Sequence, residues 1–86
     1  MKVQAAAISL QGVDFVVALG QMGLVTNSAE GDMAIEALQP KFGGVPVVLM
    51  AQNEDGSPRY YGDELIVRAL EGVPIDEMPW REYTLE

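Results

Sequence analysis

The side chains best suited to chemistry occur together in one short stretch, which contains Arg59, Tyr60, Tyr61 and Asp63. The stretch joins a predicted strand to a predicted helix, so it combines a guanidinium, two phenols and the free amides of a helix N-terminus. We therefore take residues 59–64 as a candidate ligand-binding site, or as the site of an enzyme with a borrowed cofactor. The same residues also suit structural roles, with one tyrosine in the core and Asp63 capping the helix.

Histidine and cysteine are absent from all 86 residues. Without them the chain has no Ser-His-Asp or Cys-His catalytic group, no thiol redox pair and no zinc finger. An oxygen-rich stretch at residues 53–57 resembles calcium ligands in composition, but it lacks the acid spacing of an EF-hand and fits a plain hairpin turn. We predict no catalytic residues, no metal site and no cofactor.

The charge balance limits the partners of this protein. Thirteen acidic residues against five basic ones give a formal net charge of −8. Nucleic acids and anionic membrane surfaces are excluded as partners because they carry the same sign of charge. A basic protein suits this field, and one alternative function is an acidic decoy for a nucleic-acid-binding protein. The acidity also serves solubility with no partner at all.

The length allows one domain over residues 1–86, with a small core. No stretch reaches the roughly 20 apolar residues of a membrane span. Asp14 interrupts the first apolar stretch, and no cleavage site follows it, so we expect no signal peptide. Together with the absence of cysteine, these features favour a cytoplasmic location.

A β-hairpin is the clearest structural element in the sequence. Two alternating segments, residues 2–10 and 13–19, flank Gln11 and Gly12, which is typical of a two-residue type I′ turn. This turn predicts a register in which opposed residue numbers sum to 23, so Ile8 lies opposite Phe15. One face of the hairpin is then almost entirely apolar and should contact the core.

The other face of the hairpin carries small side chains and is half apolar. A solvated face is normally more polar, so we expect either a helix or another chain to cover it. Too few helices are predicted to cover both faces, which favours self-association as a homodimer. The candidate interface residues are Ala5, Ala7, Val16 and Ala18.

The remaining elements follow from caps and periodicity. Residues 24–26 are strand-like and are expected to extend the second strand past Gly20. A first helix begins at a capping box on Asn27, or with Ser28 as the cap instead. A second helix begins at Asp63 and carries an apolar stripe of Leu65, Ile66, Ala69 and Leu70. Strands are predicted at residues 45–51, 59–61 and, as an optional last element, 80–85. The order ββ-α-ββ-α(-β) predicts an α+β two-layer sandwich, an antiparallel or mixed sheet with two helices on one face.

Two resemblances accompany these patterns. From Gly44 to Gly72, a Val45-Pro46 pair, a strand, a turn, a strand and a helix are similar to the C-terminal half of thioredoxin-like folds. That resemblance implies a cis Pro46 beside a groove, while the redox cysteines of the family are absent. Residues 43–52, with residues 60–62, resemble small uncharacterised bacterial proteins of proteobacterial type, which implies a bacterial cytosolic origin and no particular function.

These observations favour a non-enzymatic, acidic binding or interaction module that pairs with a protein partner or with itself. The acidic decoy and the site at residues 59–64 remain the alternatives.

Overall fold

The computed structural model describes residues 2–85, which form one five-stranded sheet and three α-helices. The strands are β1 (Lys2–Leu10), β2 (Val13–Leu19), β3 (Val47–Gln52), β4 (Pro58–Tyr61) and β5 (Trp80–Thr84). The helices are α1 (Met22–Thr26), α2 (Ser28–Leu38) and α3 (Glu64–Leu70), with short 3-10 turns at Gln39–Phe42 and Ile75–Glu77.

The predicted hairpin is confirmed. Gln11 and Gly12 have φ angles of 51° and 78°, and positive φ at both central residues is the mark of a type I′ turn. The register runs from Leu10 opposite Val13 to Ala5 opposite Ala18, and Ile8 lies opposite Phe15. Gly12 is well suited to its position because a residue with a β-carbon rarely adopts this backbone conformation.

The sheet has the order β4-β3-β2-β1-β5. Strands β2 and β3 pair in parallel, and every other neighbouring pair is antiparallel. The parallel pair requires a crossover between its strands, which α1 and α2 provide. The predicted α+β class is thereby confirmed, with a mixed sheet.

Helices cover both faces of the sheet, whereas the prediction placed two helices on one face. We call the side packed against α1 and α2 the front face. Its core includes Val16, Ala18 and Leu49 together with Val25 of α1 and Leu38 of α2. The side packed against α3 is the back face, whose core residues are Ala6, Phe15, Val17, Val48, Met50, Ile66, Leu70 and Met78. The layering is therefore helix, sheet, helix.

The expected extension of the second strand past Gly20 is wrong. Residues 24–26 belong to α1, whose Val25 is buried in the front core. The backbone N–H of Asn27 donates to the Gly23 carbonyl at 3.1 Å, so the segment satisfies its backbone groups within its own turn. Burial against the sheet overrides the strand propensity of these residues.

Both predicted helix starts are confirmed. The side chain of Asn27 accepts a hydrogen bond from the Glu30 amide at 3.2 Å, and Asp63 accepts from the amides of Leu65 and Ile66 at 2.9 and 3.3 Å. Each cap satisfies amides that have no partner inside the helix. The predicted apolar stripe of α3 is only partly buried, because Leu65 is 76% exposed.

β3 lies between β4 and β2, and its first five residues are apolar and buried, with side chains on both faces of the sheet. Pro46 precedes it, and the Pro46 carbonyl accepts a hydrogen bond from the Val16 amide at 2.9 Å. No peptide bond within residues 2–85 is cis, so Pro46 does not have the conformation that the thioredoxin resemblance implies. The turn at residues 53–57 is confirmed by a hydrogen bond from the Asn53 amide to the Ser57 carbonyl at 2.8 Å.

Candidate functional site

The candidate ligand-binding residues near β4 do not converge on one point. Tyr61 lies opposite Leu49 and packs on the front face, whereas Tyr60 lies opposite Met50 and packs on the back face. This separation follows from strand geometry, since consecutive side chains point to opposite sides of a sheet. Arg59 is exposed and shares the front side with Tyr61, and Asp63 caps α3. The structure thus divides the four residues between two faces and a helix cap.

Tyr61 connects β4 to α2. Its hydroxyl donates to Asp32 Oδ1 at 2.8 Å and also lies 3.5 Å from the Ser28 carbonyl oxygen. The hydrogen bond to Asp32, with a smaller contribution from desolvation, raises the pKa of the Tyr61 phenol. A shallow cleft of about 350 Å³ lies beside this bond, with Asp63 at its edge. The Tyr61 hydroxyl therefore stabilises the contact between β4 and α2. Sequence reasoning did not identify Asp32 as its partner.

Tyr60 has a buried hydroxyl with no hydrogen-bond partner among the described residues. Burial raises the pKa of this phenol above its ordinary value near 10. The folded state therefore holds the Tyr60 proton more tightly than the unfolded state does. The stability linked to this proton is fully present below pH 10 and is lost as the pH rises through the folded-state pKa.

Replacing Tyr60 by phenylalanine is expected to change stability at pH 7 by no more than about 1 kcal/mol, toward higher stability, because an unpaired buried hydroxyl is removed. The loss of stability above pH 10 should become shallower for the same reason. Tyr61→Phe is the matched variant, and it should destabilise the protein at pH 7 because it removes the bond to Asp32. Urea unfolding at pH 7 and at alkaline pH measures both effects. A clear loss of stability in Tyr60→Phe at pH 7 would mean that this hydroxyl has a partner.

The predicted self-association face is mostly covered by the chain itself. Ala5, Val16 and Ala18 are at most 5% exposed and lie in the front core beneath α1 and α2. The prediction left open whether a helix or another chain covers this face, and the structure answers in favour of helices. These three residues are therefore not available to a partner in this fold. Ala7 alone among the four remains exposed.

Ala7 belongs to a part of the hairpin that extends beyond its neighbours in the sheet. Strand β5 pairs with β1 only as far as Ala6, which lies opposite Trp80. On the other side, the β3 ladder reaches β2 only at Val16. The segment Ala7–Leu10, which we call the free edge, therefore pairs with β2 on one side and has no strand on its other side within the described part of the chain.

The turn geometry shows which backbone groups this free edge presents. In a two-residue hairpin the closing pair, here Leu10 and Val13, exchanges both backbone hydrogen bonds. Every second residue of β1 then bonds to β2, and the residues between them direct their N–H and C=O groups away from it. Ala7 and Ser9 are the outward residues of the free edge. They continue the ladder that β5 forms with β1.

Apolar grooves border the free edge on both faces. On the back face a groove of about 300 Å³ lies between the hairpin end and α3, with Val13 46% and Leu65 76% exposed at its rim. On the front face a mostly apolar groove of about 430 Å³ is lined by residues that include Ala7, Val45 and Tyr83, with Asp14 as its one charged lining residue within residues 2–85. The side chains of an added strand would thus find apolar surface above and below the sheet.

The free edge also differs in composition from the outer edges of the sheet. β4 carries Pro58 and Arg59, and β5 carries Arg81 and Glu82, which are features that oppose pairing with a further strand. The segment from Ala7 to Leu10 contains no proline and no charged residue. Sequence reasoning identified Ala7 but not the free edge, because no local signal shows where β5 stops alongside β1.

Metal sites and membrane-spanning helices were also sought within residues 2–85. Those residues contain no group of three or more acidic side chains able to hold a metal ion, and none of their helices is long and apolar enough to cross a membrane. Comparison with known proteins finds no matching family model, no matching curated protein and no matching solved structure.

Proposed function

We propose that this protein is a small acidic interaction module without enzymatic activity, and that it forms a homodimer through the free edge of β1. The observation that carries the proposal is the segment Ala7–Leu10, which is uncharged, has no strand on its side away from β2 within residues 2–85, and is bordered by apolar grooves. We propose a bacterial cytoplasmic location on sequence grounds alone, from the absence of cysteine and the resemblance to small bacterial proteins.

A second copy of the chain is a suitable occupant of this edge. When two free edges run antiparallel with Ser9 opposite Ser9, the outward groups of both residues exchange hydrogen bonds. Ile8 of one copy then lies opposite Leu10 of the other on the back face, where Leu10 lines the apolar groove beside α3. No charged side chain is placed opposite another, although each chain carries a net charge of −8. This arrangement joins two five-stranded sheets into one.

The mass of the protein in solution tests the proposal. Sedimentation velocity of the wild-type chain should show a mass that rises from the 9.3 kDa of one chain toward twice that value as concentration increases. Added salt should strengthen the dimer, because it screens the repulsion between two negative chains. A decoy for a basic protein would show the opposite salt dependence. A chain that stays monomeric up to about 1 mM would contradict the proposal.

Proline substitution locates the contact. Ser9→Pro removes an outward amide without removing a bond to β2, so it should raise the dimer dissociation constant about tenfold or more through the loss of two hydrogen bonds. Thr84→Pro, on the outer edge of β5, is the matched control and should leave the dimer unchanged. Ser9→Lys is a second variant that retains the amide and places like charges opposite each other. A dimer that withstands both Ser9 variants does not use this edge.

A further inference from the structure

A second concave region lies on the back face, at the end of the sheet far from the hairpin turn. It is a cleft of about 480 Å³, and its lining residues are Gln4, Leu19, Gln52, Gly56, Ile75, Asp76 and Trp80. They come from β1, β2 and β3, from the turn after β3, from the 3-10 turn at Ile75–Glu77 and from the first residue of β5. No part of this cleft belongs to the free edge, so it is a separate site from the proposed dimer contact.

The aromatic wall of the cleft is held in place. The indole N–H of Trp80 donates to the Ile75 carbonyl at 2.9 Å, and the ring packs on the back core. Leu19 is 41% exposed although it lies in a central strand, so apolar surface remains open beside the indole. The amide nitrogen of Gln52 donates to the Gly56 carbonyl at 3.3 Å, which leaves the amide oxygen as an acceptor.

The charge of the cleft has a single sign. Among residues 2–85, Asp76 is the only charged residue that lines the cleft, and the turn that contributes Gly56 also carries Glu54 and Asp55. No lysine or arginine lines it. Lys2, which shares the back face, pairs with Glu82 at 3.7 Å. Strand alternation places Arg59 and Arg81 on the front face, opposite Ala51 and Ala5.

We propose that this cleft binds a guanidinium or ammonium group carried on an apolar stem. The stem contacts Leu19 and Ile75, the cation lies against the Trp80 ring, and Asp76 supplies the counter-charge. The side-chain amide oxygens of Gln4 and Gln52 accept the remaining hydrogen bonds of the cation. The shared chemistry fits either the basic side chain of a peptide or a free organic cation.

Trp80 makes the site directly observable, because it is the only tryptophan in the sequence. Its fluorescence is followed during titration with N-acetyl-arginine amide, with the neutral isostere N-acetyl-citrulline amide, with agmatine, and with a Gly-Gly-Arg-Gly-Gly peptide. The arginine compounds should perturb the spectrum with saturation, and citrulline should bind at least about threefold more weakly. Tighter binding of the peptide than of agmatine identifies a peptide partner, and the reverse identifies a free cation.

Two variants distinguish binding in the cleft from nonspecific attraction of a cation by the net negative charge of the protein. Asp76→Asn should weaken arginine binding about three- to tenfold, because it removes the counter-charge while preserving shape. Glu36→Gln removes one carboxylate from α2 on the other side of the sheet and should leave binding unchanged. Equal binding of arginine and citrulline, an equal loss in both variants, or no change in the Trp80 signal would overturn the assignment. Sedimentation of Asp76→Asn should show an unchanged dimer. Cation binding in the cleft and dimerisation through the free edge can therefore fail independently of each other.

Discussion

Replacing Gly31 by alanine is expected to destabilise the protein by about 2 kcal/mol, although alanine is the better helix former. Gly31 is buried within α2, where that helix crosses α1 and the ring of Tyr61. A β-carbon at this position would lie 2.6 Å from the Leu24 carbonyl oxygen and 2.7 Å from Tyr61 Cδ2. Because the closest atom belongs to the backbone, α1 and α2 must move apart to accept it. The variant should also weaken the bond between Tyr61 and Asp32.

Gly23→Ala is the matched control for this substitution. Gly23 lies in α1, and a β-carbon there meets no atom within 4 Å. The control should therefore gain the helix propensity of alanine and stabilise the protein by about 0.5–1 kcal/mol. Urea unfolding followed by circular dichroism measures both changes. Equal shifts of the same sign in the two variants would show that propensity, and not the close approach at Gly31, determines the outcome.

The elements that sequence analysis predicted correctly are those whose signals are local. The two-residue turn at Gln11 and Gly12 determines the hairpin register, and the caps at Asn27 and Asp63 mark the helix starts. Each signal depends on residues within a few positions of one another, so no knowledge of the rest of the fold is required. The apolar run that became β3 was recognised for the same reason.

The layering depended on contacts between distant residues. Val25 is β-branched and favours a strand locally, but its burial against the front core selects a helix. With α1 added to α2, the chain has enough helix to cover the front face, which removes the original reason for a dimer through Ala5, Val16 and Ala18. The approach of Gly31 to Tyr61, 30 positions away, is equally non-local.

The two candidate sites also depend on contacts between distant segments, which local sequence patterns do not reveal. The free edge exists because β5 stops opposite Ala6, a property of the pairing of two distant segments. The cleft brings Leu19 and Trp80 together from opposite ends of the chain. The hydrogen bond from the Trp80 indole to the Ile75 carbonyl, which fixes the ring at this cleft, is likewise seen only in the folded chain. The amides and the carboxylate beside it carry no sequence pattern of their own.

The largest loss of stability is expected from Leu49→Ala, at about 3–5 kcal/mol. Leu49 is 1% exposed in the central part of β3 and packs in the front core. Truncation removes three buried carbons and leaves a cavity in a region enclosed by the sheet and the helices. A domain of 86 residues has a total stability of roughly 4–13 kcal/mol, so this one change removes a large share of it. Urea unfolding of the variant measures the loss.

Leu65→Ala is the matched control, and it connects stability to the proposed function. Sequence periodicity placed Leu65 in the core, but the side chain is 76% exposed, so the same truncation should cost less than about 0.5 kcal/mol. A loss as large as that of Leu49→Ala would show that α3 is packed differently. Leu65 also forms the rim of the apolar groove beside the free edge. If the groove is covered in the dimer, Leu65→Ala should weaken association while leaving the monomer intact, an effect that core packing alone cannot produce.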